Sequence, residues 1–186
     1  VSLRFALLAA LLEGDASGYE LSKVFDVSSA HFWSATPQQL YRELDRLEND
    51  GLVDVEVVPQ ERRPTKKVLS LNETGLAALR AYASAPARSQ AIRSDLMVKV
   101  QAADVADLDA LLAAVAQQAE EFRAKQHLFE VVRERMLDGR DSETYLREAD
   151  RVGPYLTLER GLAFERENLA WTERVIAVLT ARRDAG

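Results

Sequence analysis

Thr36-Pro37-Gln38-Gln39 constrains this chain more than any other feature. Thr36 is a helix N-cap, and Pro37 takes the first helical position, where its missing N–H costs nothing. Gln39 completes a capping box. The helix opened there runs to Asp50 and is stopped by Gly51. Directly after it, Val53, Val55 and Val57 alternate with Asp54 and Glu56, the period of a half-buried strand. Arg62-Arg63-Pro64-Thr65 is a polar turn, and Lys67, Leu69 and Leu71 share one face of a returning strand. Asn72 then caps a helix carrying Leu76, Leu79, Tyr82 and Ala83.

Upstream, Leu3, Leu7, Leu8, Leu11 and Leu12 repeat at helical spacing, with Gly14 at the C-cap. Ser17 opens a second helix in which Tyr19, Leu21, Val24 and Phe25 are the apolar positions, and a break follows around Ser28 to Ser34. Helix, helix, helix, hairpin, helix within about 85 residues is the order of a winged helix-turn-helix.

Ser84 to Gln90 reads as a linker, followed by a short helix around Leu96 to Val100. Two long helices come next. Val105, Leu108, Leu112, Val115, Ala119, Phe122, Phe129 and Met136 mark a heptad seam in the first. Tyr155, Leu158, Leu162, Leu169, Ile176 and Leu179 mark one in the second, with Gln126, Arg133 and Glu165 as interruptions. Asp138-Gly139 closes the first long helix, and Gly153-Pro154 marks the break before the second. The expected fold is mainly α: a winged helix over 1–84, a linker and short helix over 85–103, and a coiled-coil-like dimerisation domain over 104–186. Seams this broad, and a single short recognition helix, predict a homodimer built from Asp104 to Arg183.

The charge balance is unhelpful to a nucleic-acid binder at first sight, since the net charge is −6. Screening confines that repulsion to roughly 8 Å at physiological salt, so the placement of charge outweighs the total. With no cysteine there is neither disulfide nor thiolate chemistry, which fits a cytoplasmic protein. The longest apolar run, Phe5 to Leu12, is far short of the ~20 residues of a membrane span. Arg4 before it imitates a signal peptide, but no small-residue cleavage pattern follows, and a buried first helix is the better reading. There is no Gly-rich phosphate loop, no His-Glu-x-x-His and no Gly-x-Ser-x-Gly. His31 and His127 belong to no ligand cluster, so neither an enzyme, a metal nor a cofactor is expected.

The Thr36–Asp50 helix has two faces. Leu40, Leu44 and Leu47 lie together; Gln38, Arg42, Asp45 and Asn49 lie opposite, flanked by Gln39, Tyr41 and Arg46. Gln, Arg and Asn make two-pronged hydrogen bonds to adenine or guanine edges. A solvated face would look the same in an isolated helix, but this one stands third and directly before a hairpin. Arg62, Arg63, Lys66 and Lys67 gather on that hairpin, where they can reach phosphates or guard a strand edge. The expected DNA contacts are therefore Thr36, Gln38, Gln39, Tyr41, Arg42 and Arg46 on the helix, with Arg62, Arg63, Lys66 and Lys67 on the wing. The competing reading is a winged helix used only for protein assembly, which has no need of such a basic hairpin.

Gly18-Tyr19-Glu20-Leu21, Phe32-Trp33, Gln39-Leu40-Tyr41, Leu44, Leu47-Glu48, Gly51-Leu52-Val53, Arg63-Pro64 and Thr74-Gly75 occur in the order of the PadR family of transcription regulators. The chain resembles that family across residues 3 to 83. Its long helical tail is similar to the branch with the larger virulence-activator-type C-terminal domain. Leu69 stands where the family commonly has tyrosine, and Asn72 where threonine is usual. The resemblance implies a homodimeric regulator, usually a repressor, binding a near-palindromic DNA operator and open to a small-molecule effector. In the phenolic-acid members that effector is an aromatic acid. Trp33, Phe122 and Trp171 are the candidate effector residues, near the junction of winged helix and tail, although aromatics at helical spacing also serve as plain core.

Overall fold

The computed structural model describes residues 3–24, 35–59, 66–87 and 93–185. It is mainly helical and divides into two compact units, Val1–Gln90 and Ala91–Gly186. Trp33, Arg62 and Arg63, together with Phe25, His31 and Phe32, lie outside the described residues.

In the first unit, α1 (Leu3–Ala10) passes into a 3-10 turn at Leu11–Glu13 and reaches a two-residue strand, β1 (Ala16–Ser17). Then come α2 (Gly18–Val24), α3 (Pro37–Asn49), β2 (Val53–Val58), β3 (Lys66–Leu71) and α4 (Glu73–Ala83). The strands form one antiparallel sheet in the order β1-β3-β2, with Val53 opposite Leu71, Val55 opposite Leu69 and Ala16 also opposite Leu69. Leu7, Leu8 and Leu11 meet Leu21, Leu40, Leu44 and Leu47 in the interior, and Leu52, Val53, Leu69 and Leu79 close it. The tightening at Leu11 turns Leu12 outward, so Leu12 is not part of this interior. Tyr19, expected on the apolar side of its helix, is 62% exposed.

One motif glycine, Gly75, is required by close approach to backbone, and a second, Gly18, leaves room for an aromatic ring. A Cβ on Gly75 would lie 2.0 Å from the Leu52 carbonyl oxygen, so α4 sits on the turn that ends α3. Asn72 holds the same junction: its Oδ1 accepts from the Gly75 N–H at 2.9 Å, and its Nδ2 donates to the Gly51 carbonyl at 3.1 Å. A threonine there could cap but has no amide N–H to give the turn. A Cβ on Gly18 would lie 2.5 Å from Tyr41 Cε1, which lets the Tyr41 ring lie against the start of α2.

The second unit contains α5 (Asp95–Gln101), a 3-10 turn at Ala103–Val105, α6 (Leu108–Leu137), α7 (Ser142–Glu148) and α8 (Gly153–Ala185). The helix α5 is part of this unit, with Leu96 and Val100 packed on its core. Helices α6 and α8 run antiparallel, as Arg183 pairs with Asp109 and Arg133 reaches Tyr155. Asp107 opens α6 by accepting from the Asp109 and Ala110 N–H groups, and Asp138 ends it in a left-handed conformation at φ 48. The seams hold two clusters. Leu111, Val115, Val175 and Leu179 form one; Phe129, Leu158 and Leu162 form the other. Between the stretches of α8 that supply them, Glu165 and Thr172 are buried at seam positions. Thr172 satisfies its hydroxyl on the Asn168 and Leu169 carbonyls. Val105, expected on the seam, lies in the 3-10 turn ahead of α6 and is 90% exposed. Helix α7 has no apolar period to announce it; it is set by Asp141, which accepts from the Thr144 N–H.

Candidate nucleic-acid interface

Helix α3 starts as its four-residue opening dictates. The Gln39 N–H donates to Thr36 Oγ1 at 3.2 Å, and the Thr36 N–H donates to Gln39 Oε1 at 2.9 Å. This occupies one lone pair of Gln39 Oε1 and fixes the orientation of that side chain, so a two-pronged adenine contact from it would have to share the oxygen with the cap. Burying Leu40, Leu44 and Leu47 turns Gln38, Arg42, Asp45 and Asn49 to solvent.

The flanks of that face are fixed by ion pairs that span the unit. Glu43 is buried on α3; one oxygen accepts from Arg4 Nε of α1 at 3.2 Å and the other from Arg46 Nη1 at 3.0 Å. Arg4 also reaches Asp50 at 2.6 Å, so α1 grips both the middle and the end of α3. Glu43 thus holds Arg4 and Arg46 and leaves Arg42, which makes no ion pair among the described residues. Tyr41 is about half exposed, its inner edge resting on Gly18.

On the wing the two described lysines point to opposite faces of β3, and each meets a carboxylate. Lys66 Nζ lies 3.0 Å from Glu20 Oε1 of α2, and Lys67 Nζ lies 2.9 Å from Glu48 Oε2 of α3. Glu20 also closes a second capping box from the third helical position of α2: its Oε2 accepts from the Ser17 N–H at 2.8 Å and the Ser17 hydroxyl at 2.7 Å. Those two bonds first, and Lys66 after them, push the Glu20 carboxyl down to about 2. Glu48 correspondingly raises the Lys67 ammonium above its usual range. The structure therefore brings Thr36, Gln38, Gln39, Tyr41, Arg42, Arg46, Lys66 and Lys67 into one unit, with Gln38 and Arg42 exposed and without a side-chain hydrogen bond or ion pair among the described residues.

Residues 7–81 match the model of the transcriptional regulator PadR-like family, and residues 92–180 match that of the virulence activator alpha C-terminal domain. The chain belongs to the PadR-like family of transcriptional regulators. It is 29% identical over 193 residues to a probable transcriptional regulator of Mycobacterium tuberculosis, covering 98% of this chain and all of that one. The Vibrio cholerae virulence activator AphA matches at 27% identity and a TM-score of 0.68, over 97% of this chain and 99% of that one. Bacillus subtilis PadR, solved in complex with operator DNA, has the same fold at 22% identity and a TM-score of 0.75, over 95% of this chain and 98% of that one. These relatives are regulators and not enzymes.

Within this PadR-like surface, three residues escape a reading of the sequence alone. Tyr19 and Lys23 stand together on α2, the ammonium 4.8 Å from the ring centroid, whereas spacing assigns Tyr19 to the core. Its neighbour Leu21, at the start of the true apolar side, is the available signal. Glu43 is the third, since nothing local announces that its partner is Arg4, 39 residues away.

Proposed function

We propose that this chain is a homodimeric repressor that reads a near-palindromic operator with α3 and holds phosphate with its wing. The observation that carries the reading is the outward face of α3, where Gln38, Arg42 and Asn49 stand in solvent and Arg42 keeps its guanidinium out of ion pairs among the described residues. A free guanidinium on such a helix suits guanine O6 and N7. The Bacillus subtilis relative supports the regulatory sense: it is named a negative transcriptional regulator and was solved on its operator.

Two copies are needed because one short helix reads too few base pairs for useful specificity. The segment Asp104 to Arg183 supports dimerisation: after α6 and α8 have packed together, Leu128, Leu156, Phe164 and Val178 remain exposed. Half-sites then lie about 34–36 Å apart, or a multiple of it. Bacillus subtilis PadR has also been solved with p-coumaric acid. In this chain Phe122, Phe164 and Trp171 line a cleft of about 750 Å³ among α5, α6 and α8, with Arg93 and Arg160 on its rim. That cleft suits a small apolar or aromatic effector. No described helix is long and apolar enough to cross a membrane, and we place the protein in the cytoplasm with its DNA.

Genome-wide capture of fragments bound by the full chain tests the reading. Enriched sites with two-fold symmetry, and a dimer in sedimentation at micromolar concentration, are expected. Uniform recovery of fragments, or a folded monomer, overturns it.

A further inference from the structure

Helix α3 and its C-cap carry four carboxylates, and three are neutralised within the first unit. Glu43 holds Arg4 and Arg46, Asp50 holds Arg4, and Glu48 holds Lys67. Asp45 differs. It is exposed, and among the described residues it makes no hydrogen bond or ion pair, although its charge contributes to holding Lys67 protonated. Its place on the helix is central, within about 60° of Arg42 around the axis and about 4.5 Å further along it. Gln38 and Asn49 lie on the same exposed face.

An unneutralised carboxylate in the middle of a phosphate-facing surface repels every DNA sequence alike. It is compensated only where it meets a hydrogen-bond donor. In the major groove guanine shows two acceptors, thymine an acceptor and a methyl group, and adenine an amino group beside the N7 acceptor. Cytosine alone shows an amino donor with no acceptor beside it on the same base. We propose that Asp45 is a specificity-determining residue that accepts a hydrogen bond from the N4 amino group of a cytosine, one or two base pairs from the position addressed by Arg42. The proposal rests on the reading of α3 as the recognition helix. Asp45 lowers affinity for DNA in general and restores it at one kind of base pair, so it works by rejection as much as by attraction.

Selection of binding sites from a random double-stranded library, with the full chain and three variants, tests this. The unsubstituted chain is expected to select cytosine at one position per half-site. Asp45→Ala is expected to lose that preference, at a cost of about fivefold to a hundredfold on a cytosine-bearing site. Asp45→Asn is expected to move the preference to adenine, whose N6 and N7 match a side-chain amide. Both variants are expected to bind a random duplex more tightly at low salt, with the gain fading as salt rises. Both substitutions are on the exposed face, and unchanged circular dichroism and unfolding temperature verify that the fold is kept. If Asp45→Ala selects the same motif as the unsubstituted chain while Arg42→Ala alters it, α3 reads DNA and Asp45 does not. If the unsubstituted chain selects no motif, the recognition-helix reading has failed and the role of Asp45 falls with it.

Discussion

The two units solve the problem of the interior differently. The winged helix buries eleven apolar side chains in one cluster drawn from its helices and sheet, and Glu43, the carboxylate buried there among the described residues, has cations on both oxygens. The helical unit splits its interior into two clusters and places Glu165 on the seam of α8. Glu165 is 2% exposed, and its Oε2 has no hydrogen-bond partner among the described residues. Both units leave large apolar side chains in solvent, Leu12, Tyr19, Tyr41 and Val57 in the first and Leu128, Leu156, Phe164 and Val178 in the second, so the difference lies in how their interiors are closed. A reading element has to present one rigid face, and a closed interior supplies that. On the proposed homodimer reading, the exposed apolar side chains of the helical unit would be covered by a second copy, and Glu165 would stand in a core that two chains complete.

The largest effect is expected at the closest approach in the winged helix. In Gly75→Ala the new methyl would lie 2.0 Å from the Leu52 carbonyl and 2.8 Å from Leu71 Cδ1, so α4 must leave the turn. A loss of more than about 3 kcal/mol from the first unit is expected. Calorimetry should show its transition displaced and that of the helical unit unchanged. If both transitions fall together, the two units unfold as one and the contrast between them is lost.

Glu165→Met is next, and its sign is reversed. Burial pushes the Glu165 carboxyl above its ordinary value of 4.5, so the unfolded chain releases that proton first. Stability is therefore full below 4.5 and declines as pH rises through the folded value. Replacing the carboxylate with an apolar side chain of similar length is expected to stabilise the helical unit by about 1–3 kcal/mol at neutral pH, and to flatten that decline. A lower unfolding temperature at neutral pH would mean that Glu165 has a partner which the second copy supplies.

Much of the first unit is legible in the sequence because its determinants are local. Thr36 and Gln39 find each other across one helical turn, and the alternation over Val53 to Val55 needs only the pleat. Val57, expected on the same inward face, is 57% exposed because it lies beyond the core at the far end of the strand. The side chains left free for DNA are harder to read, since that depends on pairs distant in sequence. Lys66 meets Glu20 and Arg4 meets Asp50, each 46 positions apart, and only the fold brings them together. The seam of α8 is legible as a period, yet Glu165 looks like an interruption when it is a buried member of the seam. Periodicity fixes which face is inward, not whether each inward group is satisfied.

Lys66→Ala probes how firmly the wing is closed. At these exposures the Lys66–Glu20 pair contributes at most about 1 kcal/mol, so phosphate can displace the carboxylate. The variant is expected to weaken binding to operator and random duplex alike. It should lower the slope of log affinity against log salt by about 1 for each phosphate that a protomer no longer neutralises. Weaker binding on the operator alone would place Lys66 at a base edge and make the wing a reading element.

The smallest effect is expected for Glu20→Gln, which separates the two tasks of that carboxylate. Glutamine keeps the capping box with Ser17, because its amide oxygen can accept the Ser17 N–H. It loses the charge that holds Lys66. The Glu20 carboxyl is held down to about 2 in the folded chain against an ordinary 4.5, so its contribution is present above 4.5 and disappears as pH falls toward 2. The stability difference between the two chains, less than about 1 kcal/mol at neutral pH for so exposed a group, should close across that window. At neutral pH the freed Lys66 should bind random duplex slightly more tightly, since no carboxylate has to be displaced first. If the stability difference persists unchanged at about pH 2, Glu20 acts on the fold through its shape and the wing is not held by charge. If random-duplex binding also stays the same, Lys66 does not touch phosphate, and the proposed interface contracts to the outward face of α3.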